Sequence, residues 1–198
     1  MTDTRSLQLA VKRIMDLVLS SLVLVVGLPL FLAIGILVKL SSPGPVFFVQ
    51  GRVGRGGRTF PMYKFRSMTI APPGYQPGRW GKEEKARVTR LGRVLRDYGL
   101  DELPQVLNIL RGDMSIVGPR PPLPSRADEY TERQKKVFQM RPGVLALAAI
   151  EGRRSIPMEK RIELHVQYVE RWSLWLDLHI MLRCIPVVLG RQGASEVA

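Results

Sequence analysis

The stretch KRIMDLVLSSLVLVVGLPLFLAIGILVKL, residues 12–40, decides how the chain is laid out. Between Leu17 and Val38 no side chain carries a charge. About 20 apolar residues suffice to cross a bilayer, so the run predicts a membrane segment. It is too long for a signal peptide, and no small-residue cleavage motif follows it. Pro29 lies near its middle, with Gly27 just before it. Proline removes one helix hydrogen bond and clashes with the preceding turn, which predicts a break there. Arg5, Lys12 and Arg13 precede the run, and Lys39, Arg52, Arg55 and Arg58 follow it. Basic flanks favour the cytoplasmic side of a membrane. A helix that enters, bends at Pro29 and returns keeps both flanks there. A kinked single span is the alternative. Arms of about 12 and 9 residues would reach roughly 14 to 18 Å, about half the bilayer. The expected division is a re-entrant membrane helix over residues 1–40 and a cytosolic domain over residues 41–198, resting on the membrane surface.

Beyond the apolar run, SSPGP (41–45) stops the helix. Short apolar runs then flank Gly54, Gly56 and Gly57, a pattern that predicts a β-hairpin. These glycines lack the Gly-Lys-Ser/Thr of a phosphate loop, so turn chemistry accounts for them. Residues 71–81, APPGYQPGRWG, predict a mobile surface loop. From Lys82 the pattern becomes helical, with Arg87, Arg90, Arg93 and Arg96 recurring every third residue beside Leu91, Val94 and Leu95. That basic stripe is either a solvated face or a surface for phosphates or anionic lipid. A second helical stretch is expected over 128–139. Near the C-terminus, WSLWLDLHIMLRCIPVVLG (172–190) places Trp172 and Trp175 one helical turn apart. The segment is either an amphipathic helix in the membrane interface or an ordinary helix packed on the core. The fold class expected is an α-rich α/β domain with a small hairpin, interfacial amphipathic helices and the membrane helix.

The 198 residues carry a net charge of +13, and the excess is concentrated. From Arg52 to Arg96 twelve basic residues face two acids, Glu83 and Glu84, a net +10. Such a field attracts nucleic acid, anionic lipid or phosphorylated small molecules. With one cysteine, Cys184, and two histidines, His165 and His179, neither a disulfide within the chain nor a Cys/His metal site can form. Cys184 reads as a buried apolar residue, and the histidines as surface or helix-face residues.

In this basic setting LDELPQ (100–105) pairs two acids, Asp101 and Glu102. A helix beginning at Asp101 would use it as N-cap, with Pro104 in the first turn. The same geometry favours the ionised carboxylate, which can attack phosphorus as a nucleophile. Two neighbouring carboxylates also suit Mg²⁺, which works with a few carboxylates plus substrate phosphates. Basic side chains available for phosphate include Lys64, Arg66, Arg96, Arg111, Arg120, Arg141, Arg153 and Arg154.

Three blocks carry a resemblance: SPGPVFFVQGRVGRGGRTFPMYKFRSM, TRLGRVLRDYGLDELPQVLNILRGDMSIVGPRP, and GR followed by ELHVQYVERWSLWLDL. They resemble bacterial sugar transferases of the small monotopic phosphoglycosyl transferase kind, from about Lys12 to Leu182. The resemblance implies transfer of a phosphosugar from a UDP-sugar to polyprenyl (undecaprenyl) phosphate on the cytoplasmic face of the bacterial inner membrane. UMP would be released as the polyprenyl diphosphate sugar forms, in the first membrane step of a glycan pathway. It implies Asp101 as the nucleophile of a covalent phosphosugar intermediate, Glu102 as its partner in metal binding or positioning, and Mg²⁺ as cofactor. Arg120 of the Pro-Arg-Pro motif and Arg153 of the Gly-Arg motif would hold phosphate. The partners so implied are UDP-sugar, polyprenyl phosphate and membrane lipids, with no nucleic acid; a homodimer is left open. Leu145, Ala146, Ala149 and Glu151 replace a threonine, a glycine, a glutamine and an asparagine of many members, and His165 stands where an aspartate is common. Two other readings use the same features: a non-enzymatic, basic, membrane-anchored binding module, and an inactive member of the family.

Overall fold

The computed structural model describes residues 2–71, 85–151 and 156–189. Helix α1 runs over Thr2–Ser41 with Pro29 inside it, so helical structure continues through the expected break. Among the described residues it is the one helix long and apolar enough to cross a membrane. Its middle is bare: Val25 and Val26 are 73% and 71% exposed. Its two ends are not. Lys12, Asp16 and Ser20 are buried in the first half, and Ile34 and Val38 in the second.

A hairpin follows, β1 (Phe47–Val53) paired antiparallel with β2 (Thr59–Phe65) around a 3₁₀ turn at Arg55–Gly57, as the glycine pattern predicts. The register sets Phe48 opposite Lys64 and Arg52 opposite Phe60. Helix α2 (Arg90–Asp97) buries Gly92 and Leu95 and leaves Arg90 and Arg93 exposed. Residues 85–86 are helical, in line with the pattern from Lys82, and after a break Thr89 caps α2 by accepting from the Gly92 N–H at 2.8 Å. The loop expected at 71–81 lies outside the described residues after Ala71.

Helix α3 (Gln105–Arg111) is tied to the hairpin by side chains: Arg111 donates to the Tyr63 hydroxyl at 2.6 Å, and Asn108 reaches the strand backbone. Asn108 accepts from the Tyr63 N–H at 3.0 Å and donates to the Pro61 carbonyl at 2.7 Å, meeting two backbone groups on the open edge of β2. Beneath it Phe60, Met62, Ile109 and Met114 form one apolar cluster.

A second, two-stranded sheet was not anticipated. Strand β3 (Ser115–Val117) pairs in parallel with β4 (Gly143–Leu145). Each strand is too short to show a period of its own. Its signature is instead a glycine pair: a Cβ on Gly143 would stand 2.0 Å from the Gly118 nitrogen, so only glycine permits this backbone approach. Between the strands, helix α4 (Pro124–Ala127) and a 3₁₀ turn (Gln134–Gln139) replace the continuous helix expected over 128–139. Then come α5 (Leu147–Ile150), α6 (Met158–Arg171) and α7 (Leu174–Leu189).

Trp172 corrects an expectation. It is 9% exposed, belongs to the core with Tyr168, Val169, Ile180 and Cys184, and donates its indole N–H to Asp177 at 3.2 Å. A buried indole needs such an acceptor, so Trp172 is a core residue and not a membrane anchor. Trp175 is 75% exposed, on the same side of α7 as exposed Leu178 and Leu182. Helix α7 thus packs on the core along one face and presents an apolar stripe along the other. Cys184 is buried, as expected.

Asp177 gathers distant parts of the chain. It accepts from Lys12 Nζ at 2.6 Å, from the Tyr168 hydroxyl at 2.7 Å and from Trp172, while Lys12 also donates to the Val117 carbonyl at 2.9 Å. Beside it Asp16 accepts from the Ser115 hydroxyl and the Ile116 N–H, and Arg13 donates to the carbonyls of Ile109 and Leu110. The first half of α1 is therefore fastened to β3, α3 and α7. The second half packs Ile34 and Val38 against Phe65 and Leu95. Arg66 closes that end with three bonds, to the carbonyls of Val38, Ser42 and Pro43. Its guanidinium holds the turn after α1, and the residue also lines the cleft that holds the acidic pair.

Candidate active site

The two acids sit in a 3₁₀ turn, Leu100–Glu102, and not at the start of an α-helix. Gly99 precedes them at φ +69°, a left-handed conformation that reverses the chain out of α2 and aims the turn. Pro104 is the residue before α3, and no side chain caps either element. The N-cap expectation for Asp101 is therefore corrected: the tight turn between two helices places the carboxylate.

Asp101 is 8% exposed and Glu102 partly buried, and their surroundings differ. Glu102 is clamped. Arg120 donates through both terminal nitrogens to its two oxygens, and Lys64 Nζ donates to Oε1 at 2.7 Å. Burial alone would raise its carboxyl, but the charges and hydrogen bonds of Arg120 and Lys64 outweigh that and hold it well below the usual range. Asp101 meets Lys64 Nζ at 4.0 Å. Burial pushes its carboxyl up; Lys64, Arg96 and Arg120 pull it down, Glu102 adds to the rise, and the result is upward. The expectation that local fields would depress Asp101 is thus reversed by desolvation. A carboxylate held at some cost in a dry, cation-lined position is more reactive than a fully solvated one.

Both acids line a cleft of about 1190 Å³. Lys64, Arg66, Arg96 and Arg120 line it as well, so the structure brings together these four expected cations with the acidic pair. Arg153 lies outside the described residues. Leu19 and Val23 of α1, Phe47 and Phe48 of β1, and Ala146, Ala148 and Ala149 line it too. The cleft therefore joins a charged centre to apolar side chains that include part of the long apolar helix.

Three lining residues escaped sequence reasoning. Arg52 of β1 donates to the Gln50 amide oxygen and to the Pro121 carbonyl, and burial beside Arg120 lowers its guanidinium to about 10. Arg161 and His165 come from α6. His165 was expected on a surface or a helix face; it lies on the buried face of α6, 7% exposed, and its Nδ1 has no hydrogen-bond partner. Burial, with the Arg120 and Arg161 charges nearby, lowers it to about 4 and keeps the ring neutral. A signal did exist: Arg161, His165 and Tyr168 recur at helical spacing on one face of α6.

Among the described residues no group of three or more His, Cys, Asp or Glu side chains converges as a metal cage. A Mg²⁺ ion bound with substrate phosphates needs only one or two carboxylates. Asp101 fits that need. Glu102, whose oxygens already serve Arg120 and Lys64, does not fit without breaking its clamp.

The description "Bacterial sugar transferase" matches residues 7–191 of the chain. The chain is 41% identical over 191 residues to a UDP-glucose:undecaprenyl-phosphate glucose-1-phosphate transferase of Caulobacter vibrioides, covering 92% of this chain and 71% of that one. A protein of the same name from Xanthomonas campestris is 42% identical over 191 residues, and this chain spans 40% of its length. Exopolysaccharide production protein ExoY of Rhizobium meliloti is 39% identical over 197 residues, covering 92% of this chain and 87% of that one. A match over nearly the whole length, joined to an acidic pair clamped by cations beside a long apolar helix, assigns the chain to the bacterial sugar transferase family.

Proposed function

We propose that the protein transfers a phosphosugar from a UDP-sugar to a polyprenyl phosphate through a covalent intermediate on Asp101. The observation that carries this reading is the asymmetry of the acidic pair: one carboxylate is locked by two cations, and the other faces the cleft. Asp101 Oδ would attack the β-phosphorus of the donor; the bridging bond to the α-phosphate breaks and UMP leaves with its electron pair. A phosphate oxygen of the lipid acceptor then attacks the same phosphorus and restores the Asp101 carboxylate. Arg120, Lys64 and Arg96 would neutralise the phosphoryl oxygens, the main demand of phosphoryl transfer. Bound Mg²⁺ would add charge neutralisation, held by Asp101 and substrate phosphates. Glu102 orients Arg120 and Lys64 in this scheme. Relatives named for undecaprenyl phosphate and UDP-glucose support the substrate classes. A binding module with no turnover has no use for the clamp.

The same proposal places α1 as a re-entrant helix at the cytoplasmic face. Lys12, Arg13 and Asp16 on one arm and Ile34 and Val38 on the other hold a single domain. A helix that crossed the bilayer would put these arms on opposite sides. Pro29 cannot donate to the Val25 carbonyl, which makes the exposed middle the natural place to bend.

The test is UMP release from a panel of UDP-sugars with undecaprenyl phosphate and Mg²⁺. Release from at least one donor, abolished in Asp101→Asn, is expected; no release from any donor contradicts the activity. For topology, a cysteine at position 3 should resist an impermeant thiol reagent in intact cells, and labelling from outside contradicts the re-entrant form.

A further inference from the structure

His165 stands apart from the chemistry assigned above. It lines the cleft from α6, one helical turn after Arg161, and close enough to Arg120 to feel its charge. It is buried, yet Nδ1 meets no partner. An unmet hydrogen-bonding atom in a buried place is costly, so such an atom in a cleft wall points to a ligand that completes it. Ala146 and Ala148, small apolar residues that are 6% and 5% exposed, line the same cleft. A neutral ring offers phosphate no charge, and the cations already serve that need. It does offer one directed hydrogen bond. In the donor, the sugar is bonded directly to the phosphorus that Asp101 and Arg120 address, whereas the uridine is one phosphate farther away.

We propose that His165 reads the sugar of the donor, its Nδ1 forming one hydrogen bond with a ring hydroxyl or substituent, so that the side chain at this position sets donor choice. This rests on the phosphosugar-transfer reading. His165 is a specificity residue and takes no part in the displacement at phosphorus. Small lining residues leave the sugar room in the cleft, and the ring decides which substituent is satisfied there.

The experiment compares the full chain with H165A, H165Q and H165N, using UDP-glucose, UDP-galactose and their N-acetylhexosamine counterparts. Two readouts are taken: kcat/KM for UMP release, and equilibrium binding of each UDP-sugar against UDP alone. An asparagine amide reaches about where Nδ1 lies, and a glutamine amide reaches farther. H165A and H165Q should change the ratio between best and poorest donor by roughly five- to tenfold, the worth of one neutral hydrogen bond. H165N should keep that ratio within about twofold. Binding of UDP should be the same in all four proteins, and their melting temperatures should agree, separating sugar contact from misfolding. A donor ratio unchanged in every variant overturns the proposal and leaves phosphosugar transfer standing. UDP binding that weakens as much as UDP-sugar binding also overturns it, by assigning His165 to the nucleotide. A wild-type chain that neither binds nor turns over any donor overturns this inference together with the reading beneath it.

Discussion

Two charged networks join distant parts of this chain, and they are built on opposite terms. Asp177 is closed: Lys12, Tyr168 and Trp172 all donate to it, and its side chain is 3% exposed. The Asp101–Glu102 centre is open: Glu102 is fully engaged, while Asp101 lines the cleft. A buried carboxylate with both oxygens served by donors holds segments in place. One with its neighbour clamped and its own oxygens facing a cavity is placed to react. Comparable residue types thus do different work, and the distinction lies in hydrogen-bond satisfaction rather than in burial.

The comparison breaks most sharply at its two carboxylates. Asp101→Asn should lower turnover by about 10⁴-fold or more, as expected for loss of a nucleophile. Its melting temperature should hold or rise, because burial disfavours the charge that the substitution removes. Asp177→Ala should do the reverse. Leaving Lys12 buried without its partner costs about 3–5 kcal/mol, while turnover per folded molecule is retained; thermal unfolding alongside UMP release checks both. Replacing Lys12 and Asp177 together by methionine and leucine should recover part of that loss.

A smaller effect tests the clamp. Arg120→Lys keeps the charge but loses the fork that grips both Glu102 oxygens, and kcat/KM should fall about 100-fold. The smallest is a shift in pH dependence. Asp101 must be ionised to attack, and its carboxyl lies above the ordinary aspartate value, so activity should be lost on the acid side as pH falls through that raised value. Glu102, held far lower, stays ionised across the same range. Lys64 favours ionised Asp101, so Lys64→Met should move the acid limb to higher pH. A limb that does not move assigns it to another group.

Much of this was legible in the residues. The apolar run, the hairpin around Gly54–Gly57 and the Asp-Glu pair are local signals, and each appears where its pattern lies. What sequence missed depends on contacts between distant positions. The parallel pair β3–β4 brings together residues 115 and 143 and shows only as two glycines that must touch. Trp172 looked like a membrane anchor because spacing cannot tell an interface from a core; Asp177, five residues on, supplies the acceptor that draws it inward. Arg66 was expected in the site by charge alone; it does line the cleft, and three carbonyls at the end of α1, which no local pattern shows, also hold it. Asp101 was expected to be stabilised as an anion by nearby arginines, and burial, which no single sequence displays, reverses the sign.

The most direct measurement of the central claim is mass spectrometry of the protein incubated with UDP-sugars and Mg²⁺ in the absence of lipid acceptor. The account predicts a mass increase of one phosphosugar on the peptide carrying Asp101, released when undecaprenyl phosphate is added. UMP formation that requires both substrates at once, with no adduct at any donor concentration, or an adduct on Glu102 instead, would contradict it.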